Sequence, residues 1–188
     1  MRRVTYGGAI SLDGFLAGVD GSIDWLHFGK DVDQVLTDYW KDVDAILMGR
    51  KTYVVATGMS GATEPKAKSS KRRKPKATAM RTYVFSRTIK AIDKPGVELV
   101  RSDAVAFVRD LKQQPGKNIC LMGGGELAQS LLAEGLVDEV GFNIHPVLLG
   151  AGVPALRDPG HRVKLTLDEC RPMDGGCILA RYSVKHGR

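Results

Sequence analysis

Three consecutive glycines, Gly123, Gly124 and Gly125, stand between an apolar run ending at Met122 and a helical pattern opening at Glu126 and Leu127. Glycines let a backbone approach a phosphate closely, and the free amides and positive dipole end of the following helix point at it. Glycine also tolerates positive φ, so a purely conformational role stays open. The run is neither a G-x-G-x-x-G fingerprint nor a P-loop, because no Gly-Lys-Ser/Thr follows. A second cluster, Gly49-Arg50-Lys51-Thr52, again leaves a buried strand and enters a helix. Cations at a helix start oppose its dipole, so Arg50 and Lys51 there suit a nearby anion or solvated surface charge. Ser86-Arg87-Thr88 adds a hydroxyl and a guanidinium at the end of a third strand. In open α/β sheets ligands sit outside the carboxyl ends of the strands, and three such anchors suit a long, polyphosphorylated ligand.

The elements that must hold these groups are legible in the pattern. Arg3 to Leu12 reads as a strand carrying a Gly7-Gly8 pair, where a ligand or another backbone comes close. The turn-rich stretch from Asp13 to Ser22 is a surface loop and a candidate lid. Val32, Val35, Leu36, Tyr39 and Trp40 recur at helical spacing behind Asp31 and Asp33. Strands are expected at Ala45–Met48, Thr82–Phe85, Val97–Val100, Asn118–Met122 and Val137–Ile144, with a helix from about Asp103 to Gln113 closed by Pro115-Gly116. Val163–Cys170 and Cys177–Val184 form a terminal hairpin turning at Asp174-Gly175-Gly176. Alternating strands and helices followed by a strand pair specify an α/β fold, with a mostly parallel sheet and an antiparallel edge.

At 188 residues the chain fits a single domain, 1–188, that needs no staple. A hydrophobic content of 43% with 26% charge excludes a disordered chain, and no apolar run reaches the roughly 18 residues of a membrane span. No secretory signal is read at the N-terminus, so the cytoplasm is the expected compartment. Cys120, Cys170 and Cys177 lack metal-ligand spacing, and no structural metal is expected. The net charge of +7 is concentrated in one stretch: between Gly58 and Met80 seven basic residues face only Glu64, a balance of +6 against +1 for the remainder. That stretch has no aromatics to stack bases and reads as a solvated insertion, so nucleic acid is not the expected partner.

Taken in order, SLDGFLAGVDGSIDWL, MGRKTY, VFSRT, LMGGGELAQSLL and NIHPVLLGAG resemble the C-terminal family of bacterial bifunctional deaminase-reductases, the reductase domain of riboflavin synthesis. The likeness runs from about Val4 to Tyr182, with the basic stretch as its one obvious departure. It implies a dihydrofolate-reductase-like three-layer fold, with helices on both faces of the sheet and NADPH across its carboxyl edge. It also implies that Gly49, Arg50, Lys51 and Thr52 hold phosphates, with Ser86 and Arg87 near the adenosine 2′-phosphate. Gly123, Gly124, Gly125, Glu126 and Leu127 would cradle the pyrophosphate, and Ala9, Ile10 and Leu16 would flank the nicotinamide.

The activity implied is NADPH-dependent reduction of a small heterocyclic or ribosylamino-pyrimidine-like substrate, similar to that of 5-amino-6-(5-phosphoribosylamino)uracil reductase. Hydride transfer needs near-attack geometry and a donor for developing negative charge. Asp13, Asp24 and Trp25 are the catalytic candidates, with His145 also at a strand end. Each has an ordinary alternative: Asp13 as a turn residue, Asp24 as solvated charge, Trp25 as a loop anchor, His145 as structure. A dihydrofolate reductase places an acid on the first long helix facing the pterin, yet Asp31, Asp33 and Asp38 sit in no recognisable folate motif. Dihydrofolate-reductase-like activity and a non-catalytic dinucleotide-binding module are the competing readings. Two-fold symmetry is the commonest assembly, and a homodimer is expected, with Pro146 to Val153 as core or interface.

Overall fold

The computed structural model describes residues 1–57 and 80–186. The basic stretch expected at about 58–80 lies outside the described residues apart from Met80. In chain order the elements are β1 (Val4–Ser11), β2 (Phe15–Ala17), α1 (Lys30–Lys41), β3 (Val43–Gly49), α2 (Arg50–Thr57), β4 (Arg81–Phe85) and β5 (Val97–Val100). They continue with α3 (Ala104–Gln113), β6 (Asn118–Met122), α4 (Gly125–Ala133), β7 (Glu139–His145), β8 (Val153–Pro154), β9 (Lys164–Pro172), a 3₁₀ turn (Asp174–Gly176) and β10 (Ile178–Lys185).

Eight strands form one sheet in the order β5-β4-β3-β6-β1-β7-β10-β9. The first six in that order run parallel, and β10 is antiparallel to both neighbours. Parallel strands must be covered on both faces, and they are. On one face Tyr6, Leu47, Ile119 and Leu121 pack against Leu111 of α3 and Leu131 of α4. On the other, Val32 of α1 meets Met173, Cys177 and Leu179, while Tyr53 of α2 meets Met48 and Val84. The result is the three-layer arrangement expected from the resemblance. α3 begins where Asp103 accepts from the Ala106 amide at 2.9 Å, an N-cap that satisfies one of the helix's free donors.

The strand glycine Gly7 has a specific cause. It lies beside Gly141 in the β1–β7 ladder, and a Cβ there would sit 1.9 Å from the Gly141 carbonyl oxygen. Of the two close approaches expected for the Gly7-Gly8 pair, the neighbouring backbone accounts for Gly7.

The amino ends of the parallel strands are tied by charged groups. Arg2 is 8% exposed, pairs with Asp44 and donates from Nε to the Lys117 carbonyl at 2.6 Å. Lys112, 5% exposed, donates from Nζ to Asp138 at 2.5 Å and to the Leu136 carbonyl at 2.9 Å. The same Asp138 oxygen accepts from the Val4 amide at 2.7 Å. β1, β3, β6 and β7 are thereby fixed at one end by groups whose hydrogen-bonding capacity is used inside the protein.

Candidate functional site

Because β4, β3, β6, β1 and β7 are parallel, their carboxyl ends share one edge. On the adjacent strands β4, β3 and β6 this brings together Ser86-Arg87, Gly49-Arg50 and Gly123-Gly124. At the usual strand spacing, β4 and β7 are separated by roughly 19 Å along the edge. Arg50, Lys51 and Arg87 are exposed, and among the described residues none makes a side-chain hydrogen bond or ion pair.

The three glycines after β6 have three different reasons. Gly123 has φ +88°, and a Cβ there would sit 2.0 Å from Thr52 Oγ1, so conformation and space both demand glycine. Gly125 is crowded, with Arg157 and the Pro154 and Ala155 carbonyls near 3.1–3.2 Å from an added Cβ. Gly124 has nothing within 4 Å of an added Cβ, and the same is true of Gly49. Open space therefore lies before the α4 N-terminus, which has no side-chain cap. The amides of the first helical turn, at Gly125, Glu126 and Leu127, lack intrahelical acceptors by geometry. Leu127's side chain packs into the core, while exposed Glu126 approaches Arg157 at 3.6 Å.

The hydroxyls at this edge brace the loops. Thr52 Oγ1 accepts from the Gly124 amide at 3.3 Å, which leaves its own O–H hydrogen to donate outward. Ser86, 9% exposed, accepts at Oγ from the Thr88 and Ile89 amides at 3.2 and 3.0 Å, shaping the turn that presents Arg87.

Farther along the edge, β1 carries Ala9 and Ile10 on opposite faces of the sheet. Ile10 packs in the main core with Leu16, whereas alternation puts Ala9 on the α1 face, in register with Asn143 of β7. The three residues that the resemblance associates with a nicotinamide are thus close in the chain but divided by the sheet. Asp13 fastens the loops: its carboxylate accepts from Ser11 Oγ at 2.6 Å, from the Gly150 amide at 2.7 Å and from the Leu149 amide at 3.1 Å. The Ser11 hydroxyl foremost, with those amides, holds its carboxyl below the usual range. Around this clasp β2 pairs with β8, and Leu12 donates its amide to the Val147 carbonyl at 2.9 Å. The Pro146–Val153 segment runs over the loop after β1 and leaves Leu148 exposed.

Asp24 is exposed and makes no side-chain hydrogen bond or ion pair among the described residues. Trp25, its neighbour, meets His145 edge to face with ring centroids 5.4 Å apart. His145 is 2% exposed at the end of β7, and its Nδ1 lies 3.3 Å from the His27 amide and 3.4 Å from Cys177 Sγ. Its Nε2 lies 3.3 Å from the Asn143 side-chain amide. Burial, and secondarily the proximity of His27, hold the imidazole below its ordinary value and therefore neutral near pH 7. The loop bearing Trp25 and His27 is seated on the β9–β10 turn: Gly175, at φ +71°, leaves the space where a Cβ would strike the His27 ring at 2.4 Å. Asp31, at the start of α1, accepts from the Asp174 amide at 2.6 Å and from the Val32 amide at 2.7 Å. Both its oxygens serve the helix start and the hairpin.

Asn143 escaped the sequence reading. Its signal was present in the alternation of Asn143, Ile144 and His145, which sets the first and third on one face of β7.

Residues 2–179 match the RibD C-terminal domain. The uncharacterized protein YyaP of Bacillus subtilis (strain 168) is 34% identical over 184 residues, which cover 96% of this chain and 94% of the relative. Among solved structures, a putative riboflavin biosynthesis protein from Shewanella sp. PV-4 superposes with a TM-score of 0.79 at 24% identity, covering 99% of this chain and all of the other. The diaminohydroxyphosphoribosylaminopyrimidine deaminase/5-amino-6-(5-phosphoribosylamino)uracil reductase of Thermotoga maritima matches with 0.68 at 18%, over 98% of this chain and 57% of that one. Dihydrofolate reductase from Enterococcus faecalis, solved with NADP(H), matches with 0.64 at 13%, over 98% and 97%. The structural likenesses establish a dihydrofolate-reductase-like fold, and the sequence match establishes the family: this chain belongs to the RibD C-terminal domain family.

Proposed function

We propose that the protein binds NADPH along the carboxyl edge of its sheet and reduces a small heterocyclic or ribosylamino-pyrimidine-like substrate there. The observation that carries this reading is the junction of β4, β3 and β6, where three cations without a side-chain partner among the described residues share one sheet edge with a glycine loop, and open space lies before an uncapped helix. The residues fit the cofactor's anionic groups. Arg50 and Arg87 bind phosphates, the latter the 2′-phosphate, and Lys51 adds positive field. The amides from Gly125 to Leu127 receive the pyrophosphate, Gly124 supplies the clearance, and the Thr52 hydroxyl donates its free hydrogen. When bound, NADPH supplies the hydride. Ala9, on the α1 face of β1, lines the nicotinamide end without a side chain that would crowd it. Asp13 holds the loops after β1 and β7 in place around that end.

The cofactor likeness comes from the dihydrofolate reductase solved with NADP(H), and the substrate class from the Thermotoga protein's stated reductase activity. The side-chain use of Asp31 favours this substrate class over a folate, because each of its oxygens is tied to an amide of the α1 start or of the β9–β10 turn, which fixes the carboxylate as a structural cap. Fluorescence titration with NADPH and NADH tests the reading: NADPH binds more tightly, and failure to bind either overturns it.

A further inference from the structure

Among the described residues, two buried side-chain polar atoms have no hydrogen-bond partner, Trp25 Nε1 and Asn143 Oδ1, and both belong to side chains that touch the imidazole of His145. A buried polar group without a partner loses its hydration with no return, so two at one place call for a common cause. The imidazole supplies part of it. Its Nδ1 faces the His27 amide and the Cys177 thiol, both donors, and must accept. A neutral ring that accepts at Nδ1 carries its proton on Nε2 and donates there. Asn143 therefore meets Nε2 with its carbonyl oxygen and turns its NH2 toward the position that has no protein partner. Both unsatisfied groups are then donors, on either side of one imidazole, beside Ala9 where β1 and β7 are in register.

We propose that the Asn143 NH2 and the Trp25 indole N–H bind acceptor oxygens of the substrate, the ring carbonyls of a heterocycle, and that His145 is the positioning residue that turns the Asn143 amide away from its own Nε2. This subsite rests on the reductase reading and deepens it, since it lies on the α1 face of the sheet next to the residue assigned to the nicotinamide end. A carbonyl oxygen satisfies either donor. A ring nitrogen bearing hydrogen, or an amino group, in the same place leaves that donor facing another donor. The subsite thus selects for carbonyl over amino substitution at the buried position.

The test uses the full-length, ¹⁵N-labelled protein, with and without saturating NADP⁺, titrated with uracil and with benzene, a six-membered ring that has no acceptor atom. The chain has two tryptophans and two asparagines, so the reporter resonances are few. In the free protein His145 shows an unprotonated Nδ1 and a protonated Nε2; the opposite tautomer overturns the proposal. Uracil shifts the Trp25 indole and Asn143 amide protons downfield and benzene does not. Equal shifts from both, or none from uracil at its solubility limit, overturn it. Trp25→Phe and Asn143→Leu each weaken uracil about fivefold, and Asn143→Asp, which sets oxygen against oxygen, weakens it more. His145→Gln, which keeps a donor for the Asn143 oxygen, retains binding better than His145→Leu. NADP⁺ affinity is read in the same samples. Normal NADP⁺ binding with uracil affinity unchanged in the variants rejects this subsite alone, whereas loss of NADP⁺ binding by the unmodified protein rejects the reductase reading.

Discussion

Lys112 and Arg50 lie at opposite ends of the same parallel strands, and the fold treats them differently. Lys112 is buried against Asp138 and a carbonyl, with its donors turned inward. Arg50 opens a helix whose dipole it opposes, stands exposed, and has no side-chain partner among the described residues. The same contrast holds for Arg2 against Arg87. One end of the sheet has its polar groups satisfied by other parts of the chain and is built for stability. The other keeps cations and open glycines without partners among the described residues, and is the end to which we assign ligand binding.

The largest expected effect comes from breaking the satisfied end. Lys112→Ala leaves Asp138 partly buried without its cation, and loss of one member of such a pair costs about 3–5 kcal/mol. Urea unfolding will show that loss, while NADPH affinity of the folded fraction remains. If Lys112→Ala lowers NADPH affinity as strongly as stability, the two ends are not separate in role.

The glycine loop sharpens the contrast within one segment. Gly123→Ala must accommodate φ +88° and a clash with Thr52, and is expected to destabilise by about 2 kcal/mol or more. Gly124→Ala meets nothing among the described residues, so thermal stability falls by less than in Gly123→Ala, about 1 kcal/mol for alanine in place of glycine at a helix N-cap. Its added methyl enters the space assigned to phosphate, and NADPH affinity falls. Equal stability losses for the two variants, or full NADPH affinity in Gly124→Ala, break this part of the account.

Smaller effects follow at the exposed cations. Arg50→Ala and Arg87→Ala each weaken NADPH roughly tenfold at low salt, as expected for charge-assisted phosphate bonds, with stability nearly unchanged. Arg87→Ala weakens NADH less than NADPH, and equal losses would reject the 2′-phosphate assignment.

The smallest effect is a pH dependence from His145. Its folded-state value is lowered from 6.5, chiefly by burial, so the unfolded chain binds the proton more readily. Stability from the neutral ring is complete above about pH 6.5 and declines as pH falls through the lowered value. The groups facing the ring are His27, Cys177, Asn143 and Trp25, with Asp31 beyond the thiol. Protonation at Nδ1 would set a third donor against two already there. Urea midpoints measured from pH 7.5 to 5 will fall less in His145→Gln than in the unmodified protein.

How far the sequence could be read depended on how local each signal was. The helical spacing from Val32 to Trp40 and the strand, glycine loop and helix around Gly123 were visible because their causes lie within a few residues. β2 and β8, three and two residues long, form only because the loops after β1 and β7 meet, which no local periodicity encodes. Gly7 could be read as a close approach, but naming Gly141 as its cause required the strand order. Asn143 was invisible for the same reason: a lone asparagine becomes informative only beside Ala9, His145 and Trp25. Asp13 was legible as a turn residue or a catalytic acid, and its hydrogen bonds to the loop after β7 come from a segment more than a hundred residues away.

The central claim is that the unsatisfied carboxyl edge binds a phosphorylated nicotinamide cofactor, and calorimetric titration of the full-length protein with NADPH tests it most directly. The account predicts saturable one-site binding, tighter than for NADH, that weakens with salt and with Gly124→Ala while the fold is unaffected. Absence of binding at millimolar NADPH, or binding indifferent to Gly124, Arg50 and Arg87, would contradict it.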